Sequence, residues 1–186
     1  MSVRCALLLR AVNVSGRNRV PMAELRALLG ERTRLSGVST YIASGNVIAD
    51  VPGALDAACA EVRMLIREAF DVDTPVIART HEQLAAALTD HPFGDAAEEK
   101  MLHIMFLEST PIDGAVQALT PRLLPGERIA LDGHDLWIDY GRSGAGATKL
   151  TRPVLDRALG VAGTARNLLT LRRLVQLTAP TGSAAT

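Results

Sequence analysis

Lysine is nearly missing from this 186-residue chain: Lys100 and Lys149 stand against eighteen arginines. A GC-rich genome produces that bias, so the arginine excess alone does not signal phosphate binding. Aromatic residues are also few, namely Tyr41, Phe70, Phe93, Phe106, Trp137 and Tyr140. The strand-like runs Cys5 to Leu9 and Val47 to Asp50 hold none of them, which argues against bases stacking on a sheet face. Two cysteines, Cys5 and Cys59, fall on apolar runs and read as reduced core residues, not a disulfide framework. His81, His91, His103 and His134 lack metal-ligand spacing, so neither metal nor cofactor is expected. No apolar run approaches the roughly 18 residues of a membrane helix, and the one at the start is too short for a signal peptide. A soluble, cytoplasmic protein is expected.

Net charge is missing as well: 20 basic residues balance 20 acidic ones, which excludes a uniformly basic nucleic-acid coat and an acidic disordered chain. The balance is not local. Residues 1–50 carry seven basic and three acidic groups, 51–99 three and ten, 100–140 three and six, and 141–186 seven and one. Basic ends flank an acidic middle, either as a patchwork of solvated faces or as two halves of one basic surface.

With 48% apolar residues the chain can fill a sizeable core. Val3 to Leu9 reads as a strand, and a helix follows with Pro21 at its first position. Val38 to Ser44 and Val47 to Asp50 form a hairpin through Gly45-Asn46. A long amphipathic helix from Leu55 to Phe70 and a strand from Pro75 to Arg79 complete the unit. Thr80 and Gln83 have capping-box spacing at the start of a helix reaching Thr89. The pattern then recurs: strand Met101 to Leu107, helix Ile112 to Leu119, strands Ile129 to Leu131 and Leu136 to Tyr140 joined through Asp132-Gly133, helix Pro153 to Leu159, and strand Val161 to Ala165. A last helix spans Leu168 to Leu177. The expected fold class is α+β, with tandem two-layer ferredoxin-like (βαββαβ) plaits over 1–80 and 100–179, a helical connector over 81–99 and a disordered tail over 180–186.

Two segments invite a binding role. Gly141 to Lys149 is glycine-rich but fits neither the P-loop nor the dinucleotide spacing, so it reads as a flexible loop or as a setting in which Thr148 and Lys149 meet an anion. Arg10 to Arg19 holds three arginines and two asparagines ahead of a helix start. Such a loop suits an anion, although its asparagines can equally satisfy turn backbone. No serine or cysteine has a visible base, and the carboxylate pairs Asp71/Asp73 and Glu98/Glu99 read as solubilising.

The ordered set Leu9-Arg10-Ala11-Val12-Asn13-Val14, Asn18 to Leu25, Thr40 to Val47, Lys149-Leu150-Thr151 and Arg166-Asn167 resembles the bacterial family known as domain of unknown function 1697. The resemblance reaches to about Leu177 and implies a tandem α+β plait; it carries no activity with it. Ala11 and Ser15 stand where that family usually has glycine, and Leu168 where an aromatic usually follows Arg-Asn. The resulting expectation is a protein that binds an anionic, phosphate-bearing ligand, nucleotide or nucleic acid, through Arg10, Asn13, Asn18, Ser44, Asn46, Lys149, Arg166 and Asn167. The alternatives are a transferase or hydrolase of a small phosphorylated substrate, and an interaction module using an exposed sheet edge. If Arg166 is an exposed ligand contact, Arg166→Ala should leave stability nearly unchanged.

Overall fold

A computed structural model describes residues 2–96 and 98–180; of the expected tail over 180–186, all but Pro180 lies outside the described residues. The chain divides into two compact units, one of Met1–Ala86 with the segment from Arg173 on, the other of Ala87–Arg172.

In the first unit β1 (Ser2–Leu9), α1 (Met22–Arg32), β2 (Ser36–Tyr41), β3 (Asn46–Pro52), α2 (Leu55–Phe70), β4 (Val76–Thr80) and α3 (His81–Thr89) follow one another. The strands form an antiparallel sheet in the order β2-β3-β1-β4. Alternation along β1 and β3 sends Cys5, Leu7, Leu9, Val47, Ala49 and Val51 toward Leu25 and Leu29 of α1 and Val62 and Ile66 of α2. Full burial of Leu25 and Leu29 contributes on the order of 1.5–3 kcal/mol each, and an 11-residue helix needs it because isolated helices of that length are marginal. Ala6, Leu8 and Ile48, on the reverse face, are also buried. That double burial is why β1 reads as an unbroken apolar run. Burial pushes the Cys5 thiol up to about 12, which leaves it inert. The capping box is present, with Gln83 N donating to Thr80 Oγ1 (3.2 Å) and Thr80 N to Gln83 Oε1 (2.9 Å).

The second unit runs β5 (Leu102–Leu107), α4 (Ala115–Leu119), β6 (Arg128–Asp132), β7 (Asp135–Asp139), α5 (Arg152–Leu159), β8 (Gly163–Asn167) and the start of α6 (Leu168–Thr178). Its antiparallel sheet has the order β6-β7-β5-β8. Met105, Leu107, Leu136 and Ile138 pack with Leu119, Leu155 and Leu159 of α4 and α5.

Several boundaries depart from the sequence reading. The first hairpin turns over Ile42 to Gly45, and Asn46 belongs to β3, paired with both Leu8 and Tyr41. Gly45 is required there: its φ is 86°, and a Cβ would lie 2.6 Å from Val12 Cγ2. Pro21 occupies the N-cap of α1 with an extended ψ of 115°, one place before the expected first helical position. Gly114, with φ 79°, delays α4 to Ala115. β8 starts at Gly163, two residues late, where a Cβ would lie 2.6 Å from Met105 Cε and 2.8 Å from Leu107 Cδ2. That shift carries Arg166 and Asn167 out of the loop and into the strand.

Candidate ligand-binding groove

The segment Arg10 to Val20 leaves β1 on a backbone held in place by Thr74, two residues ahead of β4. Thr74 Oγ1 accepts from Arg10 N at 3.1 Å and donates to Arg10 O at 2.6 Å. The chain then enters left-handed conformation at Ala11, Asn13, Ser15, Gly16 and Asn18, with φ between 50° and 75°. Glycine and asparagine tolerate that region and alanine and serine do not, so the two positions where the resembling family usually has glycine are strained here. Ala11→Gly is expected to raise stability by up to about 1 kcal/mol, the relieved strain exceeding glycine's added freedom in the unfolded chain. Chemical denaturation of the two proteins side by side checks this, and a lower midpoint for the glycine variant would show that Ala11 is not strained.

The asparagines serve the scaffold. Asn13 Nδ2 donates to Val20 O (2.9 Å) and Ala43 O (2.8 Å), while its Oδ1 accepts from Val20 N (2.9 Å). Asn18 Nδ2 donates to Ala11 O at 3.0 Å. Asn46 is fully buried and directs its amide to Tyr41 O (3.0 Å) and Ser44 Oγ (3.3 Å). Asn13 and Asn46 thus clamp the carbonyls on either side of Ile42, a β-branched residue at φ 49° whose side chain stays 48% exposed. Such a conformation costs on the order of 1–3 kcal/mol and persists only where its surroundings enforce it.

Between this loop, the hairpin and the start of α1 lies an open groove of about 570 Å³, lined by Asn13, Arg19, Val20, Pro21, Met22, Thr40, Ile42 and Ala43. Its walls are aliphatic and no acidic residue lines it. Arg17 and Arg19 are exposed and join no ion pair among the described residues. Pro21 supplies no side-chain cap to the first amides of α1, which opens beside Arg19.

The other expected contacts are in the second unit. Lys149 is exposed, next to Thr148, whose Oγ1 accepts from Leu150 N at 3.1 Å. Asn167 Oδ1 accepts from Thr170 N at 2.9 Å and caps α6. Arg166 is 6% exposed; its Nη1 donates to Thr164 Oγ1 and Ala165 O, both at 2.8 Å. Burial lowers its pKa to about 10. It is a buried strand residue, not the exposed loop contact the sequence suggested. Of the expected residues, then, Asn13, Ser44 and Asn46 meet around the first hairpin, and Asn46 and Arg166 are enclosed. Arg19 and the aliphatic wall of Met22 and Ile42 went unselected, because their neighbourhood comes from three separate segments. Among the described residues no group of three His, Cys, Asp or Glu side chains is placed to hold a metal.

The fold and groove define an α+β protein of two four-stranded antiparallel sheets with helices. The chain belongs to the family described as protein of unknown function (DUF1697), whose family model matches residues 1–137. That span contains the whole groove; the Lys149 and Arg166-Asn167 segments follow it. A solved structure, described as that of the conserved bacterial protein SP0830 from Streptococcus pneumoniae, is similar at a TM-score of 0.75 and 22% identity, over 96% of this chain and 99% of that one. No curated protein matches the chain.

Proposed function

We propose that this is a cytoplasmic bacterial binding protein made of two ferredoxin-like plaits, and that its groove takes an anionic, phosphate-bearing ligand. The shared element order of the units and their matching strand orders support the tandem plait. Free cysteines, and the absence among the described residues of a helix long and apolar enough to cross a membrane, suit the compartment.

One observation carries the ligand reading: Arg19 faces a groove without acids while the neighbouring asparagine amides are engaged in holding the loop. An arginine offers paired donors matched to phosphate oxygens, and the uncapped first turn of α1 adds amide donors of the same sign. Inorganic phosphate or AMP at a hundred times its dissociation constant is expected to stabilise the protein by about 2.7 kcal/mol, seen as a melting shift. Arg19→Ala is expected to remove most of that shift while leaving the unliganded melting temperature nearly unchanged, since an exposed arginine contributes little to folding. Equal shifts in both proteins would eliminate the groove as the site.

A further inference from the structure

We infer that the groove's ligand is a phosphorylated, extended segment of another protein, received as an added strand on the outer edge of β2. This rests on the anion reading above and names the partner. β2 ends the sheet, and among the described residues no strand pairs with its outer side. Such an edge is a template for another chain, and proteins usually blunt it with charge, proline or a bulge. Ser36-Gly37-Val38-Ser39-Thr40-Tyr41 has no charge and no proline. Its register break lies between Ser36 and Ser39, and Arg4 Nη1 reaches Gly37 O at 3.3 Å, so both protective features sit at the end far from the groove. The edge strand of the other sheet, by contrast, carries Arg128 and Asp132. Val38 to Tyr41, half-buried, carries neither feature, and it leads into the groove through Thr40, which belongs to both.

The groove's chemistry selects among phosphate-bearing partners. A nucleobase seeks an aromatic platform, and single-stranded nucleic acid seeks several along a basic track. No aromatic residue lines this groove; Val20, Pro21, Met22, Ile42 and Ala43 present aliphatic surface suited to an amino-acid side chain. Main-chain bonds to β2 would give affinity, the aliphatic wall would select a side chain, and Arg19 would read the phosphate.

The test uses the full chain and a seven-residue valine/threonine peptide with a central phosphoserine, acetylated and amidated, followed by fluorescence anisotropy. It is expected to bind at least tenfold more tightly than its unphosphorylated twin and than AMP, and to lose at least tenfold on Arg19→Ala, with circular dichroism confirming that the variant is folded. Two further peptides carry N-methyl groups on alternate amides, one for each register. One of them is expected to lose at least tenfold, because an added strand turns every second amide toward the edge. If both methylated peptides bind like the parent while inorganic phosphate still binds through Arg19, the strand-addition inference fails and the anion reading stands. Tighter binding of AMP or an oligonucleotide than of the phosphopeptide also overturns it. If no phosphate species binds, both fail.

Discussion

Arg128→Ala is expected to destabilise the second unit by about 3 kcal/mol. Arg128 Nη2 and Nε hold Asp139 Oδ2 at 2.6 and 3.2 Å, and the Asp139 side chain is only 5% exposed. The same guanidinium binds both oxygens of Asp95 (3.0 and 3.1 Å) and lies 4.6 Å above the Phe93 ring, tying the segment before β5 to the sheet. Removing one partner of a buried pair costs about 3–5 kcal/mol because the other charge stays behind unpaired. The lower figure applies because Arg128 is itself 39% exposed and water can enter the vacated site. The double variant Arg128→Ala/Asp139→Asn is expected to recover part of the loss, since no buried charge then remains. Denaturant unfolding of the single and double variants decides it: equal losses would place the energy in the Phe93 and Asp95 contacts instead.

Arg166→Ala is expected to cost about 2–4 kcal/mol, which reverses the sequence-based expectation of no effect. The substitution empties a site that is 6% exposed and takes a donor from Thr164 Oγ1, on a residue 3% exposed. Burial lowers the arginine's pKa to about 10, so the interior disfavours the cation. Arg166→Met, which fills most of the volume without the charge, is therefore expected to retain more stability than Arg166→Ala. Thermal unfolding of the three proteins compares them directly. A methionine variant as unstable as the alanine one would mean that hydrogen bonding, not volume, holds this position.

Much of the fold was legible along the chain. Apolar alternation, the Leu55 to Phe70 stripe and the Thr80/Gln83 box each arise from neighbours a few residues apart, and each appears in place. So does the family resemblance, whose ordered fragments over the first 47 residues lie inside the matched span. The structure also brings out a correspondence between the units that the residues had not suggested. Ala78-Arg79-Thr80 and Ala165-Arg166-Asn167 end the fourth strand of each, Arg79 pairing with Ala6 and Arg166 with Ile104. Both arginines are buried and donate to the carbonyl of the preceding alanine, at 3.0 and 2.8 Å, and Thr80 and Asn167 each cap the helix that follows. Three shared contacts at one strand end are visible only when the ladders are laid side by side.

The site divides along the same line. Sequence alone determined that Arg10 to Arg19 is a polar loop ahead of a helix and that a hairpin follows near Gly45, because turn chemistry is local. Only the tertiary structure decided which polar groups are spent and which are left. Asn13 reaches Ala43 thirty residues away, Thr74 holds Arg10 across sixty-four, and a two-residue shift in β8 turns Arg166 from a surface contact into an interior one. A side chain's partners and exposure depend on segments far along the chain, and β pairing fixes them one register at a time. Residue type sets what a group can do; packing sets whether it is free to do it.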